Sequence, residues 1–223
     1  MEMAYWALEP MVGFLANLGV TPNMVTVASL VPALLAAVAA AVGWFGLACV
    51  LATAAAFCDI LDGLLARRLG VASDAGEVID AAADRYSEFF FLAGLGVYYR
   101  THWMMLVLVF AALGGSFMFS YSTAKAEAMN IEPPRGTMRR AERAVYLFVG
   151  AGFTPFSRVL FADMPSHALR ELPIVIAVAL VAVVTNVSTV QRFMALARAL
   201  RARPAPPTSD GIIAQPEPPG SQL

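Results

Sequence analysis

Between Asn23 and Arg192 the chain is a succession of apolar runs, each near the ~20 residues a helix needs to cross a bilayer, and no other feature limits its fold so sharply. Span one is expected over residues 23–42 and span two over 46–68, joined by the short uncharged turn from Gly43 to Gly46. Span three covers 75–98, span four 103–128, span five 140–161 and span six 170–192, the last continuing as a helix to about residue 201. Only 14% of the 223 residues are charged, against roughly 25% in a typical soluble domain. The predicted fold is all-α: a polytopic membrane protein of six transmembrane helices preceded by an N-terminal amphipathic surface helix.

That first helix is read from residues 1–20, where Trp6, Met11, Phe14 and Leu15 recur at loosely helical spacing with Glu2, Glu9 and no basic residue. A secretory signal starts with positive charge, so this segment is expected to lie on the membrane surface. Thr21-Pro22-Asn23 should end it and begin span one, with Pro22 in the first turn. Gly150, Gly152 and Pro155 are expected kink points of span five, and the Ala36 to Ala41 run suits close helix packing. Residues 1–203 are expected to form a single domain, and residues 204–223, rich in Pro, Ser and Gly, a disordered cytoplasmic tail.

Lys and Arg set the orientation. With six spans, both termini share a side with the 68–75 loop and the 126–140 segment, and that side carries eleven basic residues against three on the other. The bias places both termini at the cytoplasmic face of the plasma membrane. Cys49 and Cys58 lie nine residues apart on one predicted helix, about 13 Å along its axis, and are not expected to pair. No nucleic-acid partner is expected.

Against this background stand Asp59, Asp62, Asp80 and Asp84. An ionised carboxylate inside a membrane segment costs about 3 kcal/mol or more, so a cluster of them marks a functional site. Asp59 and Asp62 are three apart, and Asp80 and Asp84 four apart, so each pair projects from one helix face. Gly70 should stop the first helix, and Asp74-Ala75-Gly76-Glu77 resembles a capping box that starts the second. The short connection makes the two helices antiparallel neighbours and brings four carboxylates into one cavity. Arg67, Arg68 and Arg85 are too few to neutralise them beside Asp74, Glu77 and Glu88. An all-oxygen donor set of this kind suits Mg²⁺ or Mn²⁺, and two ions would clamp both sides of an in-line phosphoryl displacement.

The full spacing, D-x2-D-G-x2-A-R-x8-G-x3-D-x3-D, runs from Asp59 through Asp62, Gly63, Ala66, Arg67, Gly76 and Asp80 to Asp84. It resembles the signature of the CDP-alcohol phosphotransferases, integral membrane enzymes of phospholipid synthesis. The resemblance implies a CDP-activated lipid, CDP-diacylglycerol, as donor and CMP as leaving group, with Asp59, Asp62 and Asp80 as metal ligands. It makes Asp84 the general base for the acceptor hydroxyl, with metal ligation as a second role that sequence does not separate from the first. It also implies a homodimer. Gly63 and Ala66 would leave room for the nucleotide at the Asp62 face, the other reading being close helix packing. Arg67 would pair with a phosphate or brace a carboxylate, and Gly76 would give clearance at a helix N-terminus that favours an anion.

On the acceptor side, Ser120 to Glu127 and Arg140-Ala141-Glu142-Arg143 resemble segments of the subgroup that transfers to inositol phosphate. Lys125, Arg140 and Arg143 suit an acceptor that already bears a phosphate, and the other reading of these charges is the positive-inside rule alone. The chain departs from that subgroup at Thr123, where a basic residue is usual, and at Arg139, where an acidic one is. Inositol 1-phosphate is the expected acceptor. The alternative is glycerol 3-phosphate, whose subgroup usually reads Asp-Pro-x-Ala-Asp-Lys where this chain has Asp80-Ala81-Ala82-Ala83-Asp84-Arg85. A cation transporter is the alternative of another class, and it leaves Gly63, Ala66, Arg67 and Gly76 unexplained.

Overall fold

The computed structural model describes residues 2–132, 138–163 and 166–202, and the expected tail at 204–223 lies outside them. The described residues form eight helices: α1 (Glu2–Asn17), α2 (Pro22–Ala41), α3 (Phe45–Leu69), α4 (Asp74–Tyr98), α5 (Trp103–Ala128), α6 (Arg140–Leu160), the single turn α7 (His167–Arg170) and α8 (Leu172–Arg201). No strand is found among them. The four-residue α7 was not expected, and α8 runs from Leu172 through the end of the sixth apolar stretch without a break.

Local chemistry sets these boundaries. Thr21 caps α2, its Oγ1 accepting the Met24 N–H at 3.4 Å, and Pro22 stands in the first turn where its missing N–H costs nothing. Gly70 ends α3 in the left-handed region at φ 65°, and the Val71 N–H folds back to the Ala66 carbonyl at 3.1 Å. The cap of α4 falls one residue earlier than expected. Ser73, not Asp74, is the N-cap, with its Oγ accepting the Gly76 N–H at 3.2 Å, which leaves Asp74 and Glu77 inside the first turn. α6 runs unbroken through Gly150, Gly152 and Pro155. Gly150 serves packing, since a Cβ there would come 2.6 Å from the Ala177 Cβ and 2.9 Å from the Pro173 carbonyl oxygen.

The core is built from small residues that let backbones approach. Ala36, Ala39 and Ala40 of α2 are buried with Leu92 and Leu95 of α4, Ala48 and Ala52 of α3, and Ile174, Val178 and Val181 of α8. A separate cluster seats Val12 of α1 on Leu61, Leu64 and Leu65 of α3, and Arg68 reaches across to Glu9. α1 thus braces the end of α3 from which the motif carboxylates project.

Four helices, α2, α3, α5 and α8, have the length and apolarity to cross a membrane. α4 and α6 are long enough, but α4 carries Asp80, Asp84, Arg85 and Glu88, and α6 carries Arg140, Glu142, Arg143 and Arg158. Many apolar side chains of the outer faces are exposed, among them Val31 and Leu35 of α2, Phe110 of α5 and Val183 of α8. A soluble domain does not leave such continuous apolar faces in water.

Candidate active site

The Gly70 to Ser73 link does not make α3 and α4 the close antiparallel neighbours expected: each packs chiefly on α2, and the two halves of the motif meet through their carboxylates. One oxygen each from Asp59, Asp80 and Asp84 lies within 4.8 Å of the others. Asp80 Oδ1 and Asp84 Oδ1 are buried and have no hydrogen-bond partner. Among the described residues the cation in salt-bridge contact with the group is Arg140, the first residue of α6, with Nη1 3.7 Å from Asp59 Oδ2 and paired with Asp84 Oδ2. Among the described residues, one paired guanidinium against three carboxylates leaves an excess of negative charge, and buried unpaired charge is costly.

The arginines nearer in sequence are directed elsewhere. Arg67 Nε donates to the Gly63 carbonyl at 3.1 Å, Arg68 lies on α1, and Arg85 donates to the Ala81 carbonyl. Two orphan carboxylate oxygens, an all-oxygen donor set and a deficit of positive charge fit a divalent cation. Asp59, Asp80 and Asp84 are the residues placed to hold it.

Asp62 stands apart from that group. It is buried, and its Oδ2 accepts a 2.6 Å hydrogen bond from Thr26 Oγ1 on α2. Together with Asp80 it lines a cavity of ≈ 650 Å³ between the first turn of α2, the end of α3 and the start of α4. Gly63, Ala66 and Gly76 line the same cavity, with Asn23 and Ser73 beside Gly76. A Cβ on Gly63 would meet only Arg67 Nη2, at 3.8 Å, so the glycine opens onto the cavity instead of a packed helix. Arg67 is exposed beside it. A smaller space of ≈ 60 Å³ is lined by Asp59, Glu88 and Arg140 and otherwise mainly by six alanines with Phe91, Leu147 and Phe148.

The three basic residues expected at the acceptor have different surroundings. Arg140 sits on the carboxylates, and Lys125 is half-buried near the end of α5. Arg143 is 1% exposed and locked to Glu88 in a bidentate pair, Nε to Oε1 at 2.8 Å and Nη2 to Oε2 at 3.1 Å. Sequence reasoning treated Arg192 only as a cytoplasmic charge, yet it is 6% exposed. Its guanidinium lies 4.2 Å over the Phe119 ring, with Nη2 donating to Thr123 Oγ1 at 2.7 Å. Arg143 lies 5.4 Å from the same ring centre, and Arg143 Nη1 and Arg192 Nε are both buried without a partner. The available signal was the stripe Thr185, Ser188, Thr189, Arg192, which runs at helical spacing and is buried throughout.

An all-helical bundle with apolar outer faces, whose acidic cluster borders a nucleotide-sized cavity and pairs with Arg140, fits a membrane enzyme acting on phosphates. The sequence pattern of the CDP-alcohol phosphatidyltransferase family matches residues 19–200, and the chain belongs to that family of transferases. It is 30% identical over 202 residues to the phosphatidylinositol phosphate synthase of Cutibacterium acnes, covering 88% of this chain and 96% of that protein. Over 140 residues, 62% of this chain and 73% of its relative, it is 35% identical to the archaetidylinositol phosphate synthase of Pyrococcus horikoshii. The crystal structure of Mycobacterium tuberculosis phosphatidylinositol phosphate synthase with CDP-DAG bound superposes with a TM-score of 0.73 at 26% identity, covering 84% of this chain and 92% of that one. The same enzyme in complex with manganese and citrate also gives a TM-score of 0.73, over 84% of this chain and 87% of that one.

Proposed function

We propose that the protein transfers a phosphatidyl group from CDP-diacylglycerol to a hydroxyl of inositol 1-phosphate, releasing CMP. The observation that carries this reading is the set of three carboxylates within 4.8 Å, two of them with orphan oxygens, beside a cavity of ≈ 650 Å³. The names of its relatives, and the CDP-DAG and manganese in the solved structures, support it.

Asp59, Asp80 and Asp84, with Asp62 from the cavity side, would hold Mg²⁺ or Mn²⁺, two ions in the fullest case. Bound there, the cations would neutralise the diphosphate and the charge that gathers on departing CMP. Gly63, Ala66 and Gly76 leave the cavity open for the nucleotide, with Arg67 at its edge. Asp84 takes the proton of the acceptor hydroxyl. The freed oxygen attacks the phosphatidyl phosphorus, and the bond to CMP breaks with its electron pair going to CMP. Lys125 and Arg140 attract the acceptor's phosphate, while Arg143 and Arg192 line the wall behind it.

The same reading takes α4 and α6 as spans alongside α2, α3, α5 and α8, with α1 on the membrane surface. The ionisable residues of α4 and α6, Arg158 apart, then gather at the site end, where water and substrate enter. The bias of basic residues puts that end in the cytoplasm, and two copies are taken to pair, as the resemblance implies.

The test is a panel of inositol 1-phosphate, free inositol, glycerol 3-phosphate and serine offered with CDP-diacylglycerol and Mn²⁺ to purified protein. Inositol 1-phosphate should be used best, free inositol poorly, and chelation should abolish CMP release. Preference for glycerol 3-phosphate or for an uncharged acceptor would overturn the acceptor assignment.

A further inference from the structure

A buried threonine on α2 touches the one motif carboxylate that stands outside the cluster. Thr26 and Asp62 are 4% and 6% exposed, and Thr26 Oγ1 lies 2.6 Å from Asp62 Oδ2 and 3.1 Å from the Pro22 carbonyl. A hydroxyl has a single proton, and the shorter contact to a charged acceptor takes it. The backbone on this side is fixed as well, because Ser29 Oγ donates to the Thr26 carbonyl at 2.6 Å. One oxygen of Asp62 is therefore held by α2, and the adjacent Gly63 N–H is a further donor to the carboxylate.

We infer that Thr26 is a positioning residue for Asp62: it fixes the orientation in which the carboxylate is offered to a divalent cation at the cavity. Thr26, Pro22 and Asn23 line that cavity together with Asp62 and Asp80. The first turn of α2 thereby links the nucleotide's wall to the metal. Residues that orient a ligand from behind typically change metal affinity about 10- to 100-fold when removed. The inference rests on the reading of Asp62 as a metal ligand given above.

The experiment is a Mn²⁺ titration of purified protein followed by the EPR signal of free Mn²⁺, without substrate, on wild type, T26V, T26S, D62N and the T26V/D62N double variant. T26V is nearly isosteric and lacks the donor, so its Mn²⁺ affinity should fall by at least about tenfold. T26S keeps the hydroxyl and should bind as wild type does. In the D62N background T26V should add no further loss. If D62N weakens Mn²⁺ binding but T26V does not, or if the two losses multiply in the double variant, Thr26 does not act through Asp62 and the inference fails alone. Wild-type affinity in D62N would instead remove Asp62 from the metal site. Should T26V fail to fold, the double variant strands no buried carboxylate, and its affinity against that of D62N decides the question.

Discussion

Arg143 and Glu88 illustrate how much a single contact alters the meaning of a residue. In sequence, an arginine beside an acidic cluster reads as a ligand for an anionic acceptor. Held in a bidentate pair and almost without exposure, it ties α6 to α4 through Glu88, a structural role that substitutions separate from acceptor binding. Removing one partner of such a pair leaves the other charge buried and costs about 3–5 kcal/mol. Arg143→Ala should therefore lower the thermal stability of the purified protein, and replacing both residues with apolar ones, Glu88→Leu with Arg143→Met, should restore most of the loss. Lys125→Ala should leave stability unchanged and raise the acceptor KM. Thermal unfolding in detergent beside acceptor kinetics separates the two. Equal stability of Arg143→Ala and wild type would return Arg143 to the acceptor site.

At the scale of elements, the contact of α2 with α4 sets how closely the helices bearing the site can lie. A Cβ on Gly94 would fall 2.9 Å from both the Cα and the carbonyl carbon of Ala37, and backbone cannot move aside as a flexible side chain can. Gly96, two residues on, has only ordinary contacts, with Val109 Cγ1 at 3.7 Å and Leu106 Cδ1 at 3.8 Å. Overpacking of this kind costs about 1–3 kcal/mol. Gly94→Ala should lower the unfolding temperature and weaken Mn²⁺ binding, because displacing α4 moves Asp80 and Asp84. Gly96→Ala should change neither. Matching unfolding curves for the two variants would show that α2 and α4 can separate without cost.

The whole molecule is polar at both ends of an apolar bundle, and the two ends differ in kind. Away from the carboxylate cluster, buried Glu171 accepts hydrogen bonds from Tyr98 and, at 2.6 Å each, from Tyr99 and Arg158 Nη2, while Arg158 Nη1 donates to the Gly43 carbonyl at 2.7 Å. This network joins the ends of α2, α4, α6 and α8, and both oxygens of its carboxylate have partners, whereas Asp80 and Asp84 at the site each keep one oxygen without. Tyr98 lies eighteen residues beyond Asp80 on α4, about 27 Å along the axis. Glu171→Ala should cost at least about 2 kcal/mol, below the full range for a buried pair because a third of Arg158 stays exposed. The KM for donor and acceptor should stay at wild-type values, since the site lies at the other end. Intact stability, or a changed KM without unfolding, would contradict a purely structural clamp.

Much of this was legible beforehand because helical spacing and membrane thickness are local rules. Apolar runs near 20 residues placed the long helices to within a few residues. Gly70 and Pro22 marked boundaries that the backbone confirms through a left-handed φ of 65° and a first-turn proline. The three- and four-residue spacings of the aspartates put each pair on one helix face, and Asp59, Asp80 and Asp84 do meet. Which oxygen each carboxylate presents, and to whom, depends on neighbours far away in sequence. Thr26 lies 36 residues before Asp62, Glu88 55 before Arg143, and Thr123 69 before Arg192. Spacing fixes the face a side chain occupies, but its rotamer and partner are set by how closely the next helix approaches. The sequence alone determined the helices, their order and the acidic motif. Tertiary packing alone decided that Arg140 lies on the cluster, that Arg143 is withdrawn from solvent, that Arg192 joins the buried wall, and that Asp62 is held from α2.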